Sequence, residues 1–197
     1  MAYPAVSAPY GLVPINLIGG QVFAGATRLI PITTASTTAI FNGDVVKLTS
    51  AGTLEKDVGT DAATPVGVFL GCSYTDPTYG KTFRQFYPGA VSAADIVAYV
   101  NDDPDALYKV AVVSATTTIS GVARTSVGNN AILVQNTGST LNGNSKVAVG
   151  VTTGTTSTFP IRVIDVIAET TNTAGSYTEV VVKWNQGMHQ YLNPTGV

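Results

Sequence analysis

Between Arg28 and Trp184 the apolar residues come in short runs, each broken within a few positions by glycine, asparagine or proline. No stretch carries the 3.6-residue period of an amphipathic helix. The runs are rich in valine and threonine, side chains that fit a pleated, half-buried surface. This pattern predicts an all-β chain, a barrel or sandwich of about ten or more short strands. Composition agrees, with 28 Thr, 26 Val and 20 Gly among 197 residues, and charged residues at 11% against about 25% in ordinary soluble domains.

The turn signals place the strands. Apolar residues before Asn42-Gly43 and after it (Asp44-Val45-Val46-Lys47-Leu48) read as a hairpin. Ser50-Ala51-Gly52 is a second turn, and Val66–Cys72 reads as a buried strand with Cys72 as a small core residue. Ser92–Val100 begins like a capped helix, but its ending, Ile96-Val97-Ala98-Tyr99-Val100, favours a strand. Further strands are expected at Leu107–Val113, Ile132–Val134, Lys146–Val151, Phe159–Ile167 and Tyr177–Trp184. The expected core is Ile40, Val46, Leu48, Val66, Val68, Leu70, Val110, Val112, Val147, Val149, Val163, Val166, Val180 and Val182. An internal echo links Val45–Leu54, followed by Val66-Gly67-Val68, with Ile132–Leu141, followed by Val149-Gly150-Val151. It allows a division of 28–197 into two lobes, 28–115 and 116–197.

The first 27 residues contain no charged side chain. They lack both the positive start and the continuous apolar centre of a secretory signal, and Pro14, Asn16, Gly19, Gly20 and Gln21 interrupt any membrane span. Pro4, Pro9 and Pro14 favour extended backbone, so 1–27 reads as an arm. Tyr3, Tyr10, Leu12, Val13, Ile15 and Leu17 are its candidate contacts with a partner. The equal alternative is a first strand tucked into the chain's own sheet. On the arm reading, deleting 1–27 removes partner binding and leaves the rest folded.

Available chemistry is narrow. With one Cys and one His there is no intrachain disulfide, and one chain cannot assemble a zinc site of Cys and His ligands. His189 lies in a polar tail, where a surface or interface residue is expected. No phosphate loop, dinucleotide fingerprint or nucleophile elbow occurs. The 10 basic residues are scattered singly, which argues against nucleic acid. Neither a cofactor nor catalysis is expected. Tyr79, Phe83, Arg84, Phe86 and Tyr87 bunch together as a candidate interface patch, with core packing and base stacking as the competing readings. Asp102, Asp103 and Asp105 flank Pro104. They read as a turn rather than a calcium loop, because the alternating ligands, turn glycine and distal Glu are missing.

The segments Phe41-Asn42-Gly43-Asp44-Val45-Val46-Lys47-Leu48, Ser50-Ala51-Gly52-Thr53-Leu54-Glu55 and Thr64-Pro65-Val66-Gly67-Val68-Phe69-Leu70-Gly71 have a recognisable order. The order is Gly-Asp-x-Val-x-Leu, a glycine turn, then Pro-Val-Gly-Val and a terminal Gly. It resembles the small β-barrels of tailed-bacteriophage head-decoration (capsid cement) proteins, over about thirty positions. The uncharged, proline-bearing start and the Thr/Ala/Gly/Val composition are also similar to phage virion proteins. The resemblance implies a non-enzymatic protein on the outside of the capsid, bound to the major capsid protein, as a homotrimer or sometimes a dimer, without nucleic acid or membrane. A tail or other virion β-component, or a carbohydrate-binding β-sandwich using Tyr79, Phe83, Tyr87 and the Asp102–Asp105 acids, is the alternative.

Overall fold

The structure is a computed structural model that describes residues 6–172 and 174–197. It is all-β, with 13 strands in two sheets. The first sheet holds β2 (Arg28–Pro31), β3 (Val45–Leu48), β4 (Leu54–Lys56), β5 (Gly67–Asp76), β6 (Gly80–Arg84) and β7 (Val97–Asn101). The second holds β1 (Val13–Leu17), β8 (Ala106–Ala115), β9 (Thr118–Ile119), β10 (Asn130–Val134), β11 (Ala148–Gly154), β12 (Ile161–Val166) and β13 (Glu179–Trp184). The chain changes sheet between Asn101 and Ala106, not near 115, because β8 is central to the second sheet.

In the second sheet, β8-β11-β10-β12-β13 return to β8 and close a barrel, with only β8 and β11 parallel. The first sheet, β2-β7-β5-β3-β4, curls until its outer strands meet at one parallel bridge, Ile32–Leu54. The two have the same connectivity. Numbering the five strands of each in chain order, the first lies between the third and the fifth and runs parallel to the third. The second lies between the third and the fourth, and the fourth between the second and the fifth.

The registers agree as well. Ile32 bridges Leu54 where Val112 pairs with Val149, and Leu48 pairs with Leu54 where Leu133 pairs with Val149. Val46 faces Gly67 where Ala131 faces Ile161, and Ile30 faces Ala98 where Val110 faces Val180. Each fourth strand carries one bulge, between Phe69 and Gly71 and between Val163 and Asp165. The turn before each second strand repeats too. Gly43 and Gly128 have φ of 90° and 89°, and their N–H groups donate to Phe69 O and Val163 O, both at 2.8 Å. Both sites need a left-handed backbone, which glycine adopts at little cost.

The repeat therefore exists, but in a different alignment from the sequence echo. Val45 corresponds to Asn130 rather than Ile132, and Val66-Gly67-Val68 opens a fourth strand whereas Val149-Gly150-Val151 lies in a third. The glycine-and-valine alphabet produced the false match.

Equivalent positions supply both cores: Ile30, Ile32, Val46, Leu54, Phe69, Cys72, Ala98 and Val100 in the first, Val110, Val112, Ala131, Val149, Val163, Val166, Val180 and Val182 in the second. Burying each such large aliphatic side chain contributes about 1.5–3 kcal/mol. Of the expected core, Leu48 and Leu70 are only partly buried.

Asn42-Gly43 is a turn, with Asp44 N–H donating to Phe41 O at 2.9 Å, but it does not join a hairpin. Ile40 bridges Tyr87, and Asn42 bridges Asn144 of the second sheet's Asn142-Gly143 turn. The two Asn-Gly turns thus dock on each other, with Asn42 N–H donating to Gly143 O at 3.0 Å and Ser145 N–H to Asn42 O at 2.8 Å. Beneath them the fully buried Asp44 carboxylate accepts from Ser145 Oγ (2.6 Å) and Phe41 N–H (2.9 Å) and pairs with Lys56 Nζ (3.0 Å). Val45 and Val68 turn outward from the first sheet into the second sheet's core.

The termini cross over. Of the segment 1–27, residues 13–17 form β1 on the edge of β8, and Leu12 is fully buried in the second core. The detached-arm expectation is thereby corrected for these residues, and deleting 1–27 would remove part of that core. Apolar side chains this close to an open strand edge gain more by pairing and burial than by staying in water. The C-terminal tail returns to the first sheet. Gln190 N–H donates to Pro65 O at 2.8 Å, and its side-chain amide pairs with Leu48, accepting from the N–H (2.7 Å) and donating to the carbonyl (3.2 Å).

Candidate interaction surface

The sequence-predicted contacts separate into three environments. Tyr3 lies outside the described residues. Leu12 is buried; Tyr10, Ile15 and Leu17 are half-buried, and Val13 is exposed along β1. Tyr10 is committed internally: its hydroxyl donates to Glu179 Oε1, and Lys109 Nζ sits 5.4 Å from its ring centre. Burial first, and then the Glu179 carboxylate, push the Tyr10 phenol well above its ordinary range. None of Tyr10, Leu12 and Leu17 is a free contact; they fasten the start of the chain to the closed barrel.

The aromatic patch divides in the same way. Tyr87 is fully buried in the first core, its hydroxyl donating to Ser36 O at 2.9 Å, so it is no interface residue. Phe86 is half-buried and stacks on Phe41, with centroids 5.4 Å apart. Arg84 lies over the Tyr74 ring at 6.0 Å. Tyr79 and Phe83 remain, 79% and 69% exposed, on the β5–β6 hairpin that projects beyond the first sheet. Alternation along β6 sends neighbouring side chains to opposite faces. The strand is so far out that no residue on it is buried.

Asp95 braces this hairpin, accepting from Thr75 N–H (2.9 Å), Thr75 Oγ1 (2.7 Å) and Lys81 Nζ (3.1 Å). Those bonds, led by the Thr75 N–H, hold the Asp95 carboxyl down at about 2.

A second exposed apolar strip runs from the end of β1 to β2: Ile18 at 47%, Val22 at 75% and Leu29 at 57%. β2 pairs with β7 on one edge only. At its start lies an open cleft of about 510 Å3 between Ala26–Arg28, Asp102–Pro104 and Tyr191. Arg28 Nε meets Asp102 Oδ2 at 2.6 Å, its guanidinium lies 5.3 Å from the Tyr191 ring centre, and the Tyr191 hydroxyl donates to Asp102 Oδ2 at 2.9 Å. Burial and this bond raise the Tyr191 phenol to about 12.

The acidic cluster does not converge. Asp102 serves Arg28 and Tyr191, Asp103 Oδ1 accepts from Asp105 N–H at 2.8 Å within the turn, and Asp105 pairs with Lys183. Among the described residues no group of three or more His, Cys, Asp or Glu side chains is placed to hold a metal ion.

Cys72 is a buried core residue, and burial raises its thiol to about 11, far from a reactive thiolate at neutral pH. His189, expected at the surface, is fully buried. Its Nδ1 accepts from Tyr191 N–H at 3.3 Å, its ring packs near Trp184, and burial lowers its pKa. A tail residue could be read as buried only by knowing that the tail folds back to Pro65 and Leu48.

Pro31 marks the apolar run Arg28–Thr33 as an edge strand, but nothing local says which of its two sides stays unpaired, so Leu29 could not be singled out from the sequence. No family model, no curated protein and no solved structure matches this chain.

Proposed function

We propose that this chain is a non-enzymatic structural protein of a tailed-phage virion, a head-decoration protein that binds the assembled major capsid protein from outside and stabilises the shell as a homotrimer. The observation that carries this reading is the surface: Ile18, Val22 and Leu29 exposed between the end of β1 and β2, and a hairpin with Tyr79 and Phe83 exposed. Such surface costs free energy in water and is suited to cover by a partner. The Gly-Asp-x-Val-x-Leu resemblance agrees, since its residues build the turn and the second strand of the first barrel-like unit. The lone thiol and the lone imidazole are both spent on packing, which favours binding over catalysis.

A protein that binds only the assembled shell stabilises it by mass action. The test is co-sedimentation of the purified chain with shells of the same phage's major capsid protein, beside unassembled capsid subunits. Saturable binding to shells and a raised shell melting temperature are expected. Absence from the shell pellet at micromolar concentration overturns the reading, and binding on a glycan array in its place would favour the carbohydrate alternative.

A further inference from the structure

The repeat exposes a difference between the two barrels. In the closed barrel, β1 lies on β8 at Ala106–Lys109, on the edge that β11 continues. The registers make Ala26–Leu29 the equivalent stretch of the first barrel, on the edge of β2 that β4 continues. Among the described residues no strand occupies that stretch.

The direction of its hydrogen-bonding groups follows from the ladder. Ile32 N–H donates to Ile96 O, so by alternation Arg28 and Ile30 face β7, and Thr27, Leu29 and Pro31 face outward. Pro31, which has no N–H to leave unpaired, sits on the open side, where edge strands tolerate proline. The same alternation carried through β7 and β5 turns Thr82 and Arg84 of β6 toward β5 and leaves the backbone groups of Lys81 and Phe83 facing outward. Among the described residues the outer edges of β2 and β6 are both unpaired at these positions, each with an exposed apolar side chain, Leu29 and Phe83.

We propose that these edges join between copies: the β6 edge of one molecule adds antiparallel to the β2 edge of the next, in the seat that β1 fills within the closed barrel. Leu29 opposite Phe83 exchanges two backbone hydrogen bonds and forms an apolar cross-strand pair. In this register Thr82 falls opposite Ile30, Lys81 opposite Pro31, and Arg84 opposite Arg28, whose guanidinium is held by Asp102. Because the two edges differ, the contact is head-to-tail, and it makes the ring of the proposed homotrimer, not a two-fold dimer, when its rotation closes after three copies. The proposal names the self-contact of the homotrimer proposed above and needs no shell, so its failure and the failure of shell binding are read in separate experiments.

The test uses the full chain with Leu29→Cys and Phe83→Cys, both at exposed positions. The parental chain, whose Cys72 is covered, is the control. Under mild oxidation, a mixture of the two single variants gives linked pairs containing one of each, and the double variant gives covalent trimers. Each single variant alone stays unlinked. In light scattering, Leu29→Lys weakens self-association at least tenfold, with a melting temperature equal to the parent's at dilutions where both are monomeric. A monomer at every concentration, linking by Leu29→Cys alone (a β2-to-β2 dimer), or an oligomer that links in no combination overturns the proposal.

Discussion

Asp44 is the side chain on which most of the junction depends. It is fully buried, and it holds together a turn N–H, the Ser145 hydroxyl from the other barrel and the Lys56 ammonium, which is itself 10% exposed. The equivalent turn in the closed barrel has Asn129 in its place and the same backbone bonds, so the turn does not require a charge. The charge answers Lys56. Removing one partner of a buried pair strands the other, a loss of about 3–5 kcal/mol. Asp44→Asn should cost that much in urea unfolding. The double variant Asp44→Asn with Lys56→Met should cost clearly less than the two single changes added together. Strict additivity would mean that the pair is not the cause.

At the level of elements, strand type and most of the core were legible in the sequence, because Val-rich runs between turn signals have few other solutions. Val110, Val112, Val180 and Val182 all point inward as the alternation requires. The pairing partners were not legible. Asn42-Gly43 has the local chemistry of a hairpin turn, yet Ile40 pairs with Tyr87, a choice made by tertiary packing. The exposed hairpin β5–β6 was visible as a change in composition, although Tyr74 and Tyr87 of the same stretch belong to the core.

The hairpin's brace is pH-sensitive, and the sign follows from the Asp95 carboxyl, lowered from 3.8 to about 2 on folding. A depressed carboxyl contributes order above its unfolded value, and that contribution fades as the pH falls from about 4 to about 2. Amide exchange at Thr75, followed by NMR, should accelerate beyond its neighbours in that window. In Asp95→Asn the pH step should vanish; a step that persists would assign it to another acid.

On the scale of the whole molecule, the two barrels also exchange their ends. β1 precedes the first barrel and completes the second, and the tail follows the second and pairs with the first. Gln190→Ala removes both amide bonds to Leu48, at about 1 kcal/mol for each bond. The expected result is faster hydrogen exchange at Leu48 with β13 protected as before. Equal loss of protection in both barrels would show that they open as one cooperative unit.

The exchanged ends also set an order of events during synthesis. β1 leaves the ribosome early, but its seat, β8, begins only at Ala106. The first barrel is translated long before Gln190 arrives to close over Leu48. Neither half can be completed while the chain is still growing, so Leu12 must stay in water or in provisional contacts until the second half arrives. Circular permutation that joins the present ends and opens the chain between Asn101 and Ala106 would place β1 and its barrel on one continuous stretch. Such a permutant would turn a late, long-range closure into an early, local one.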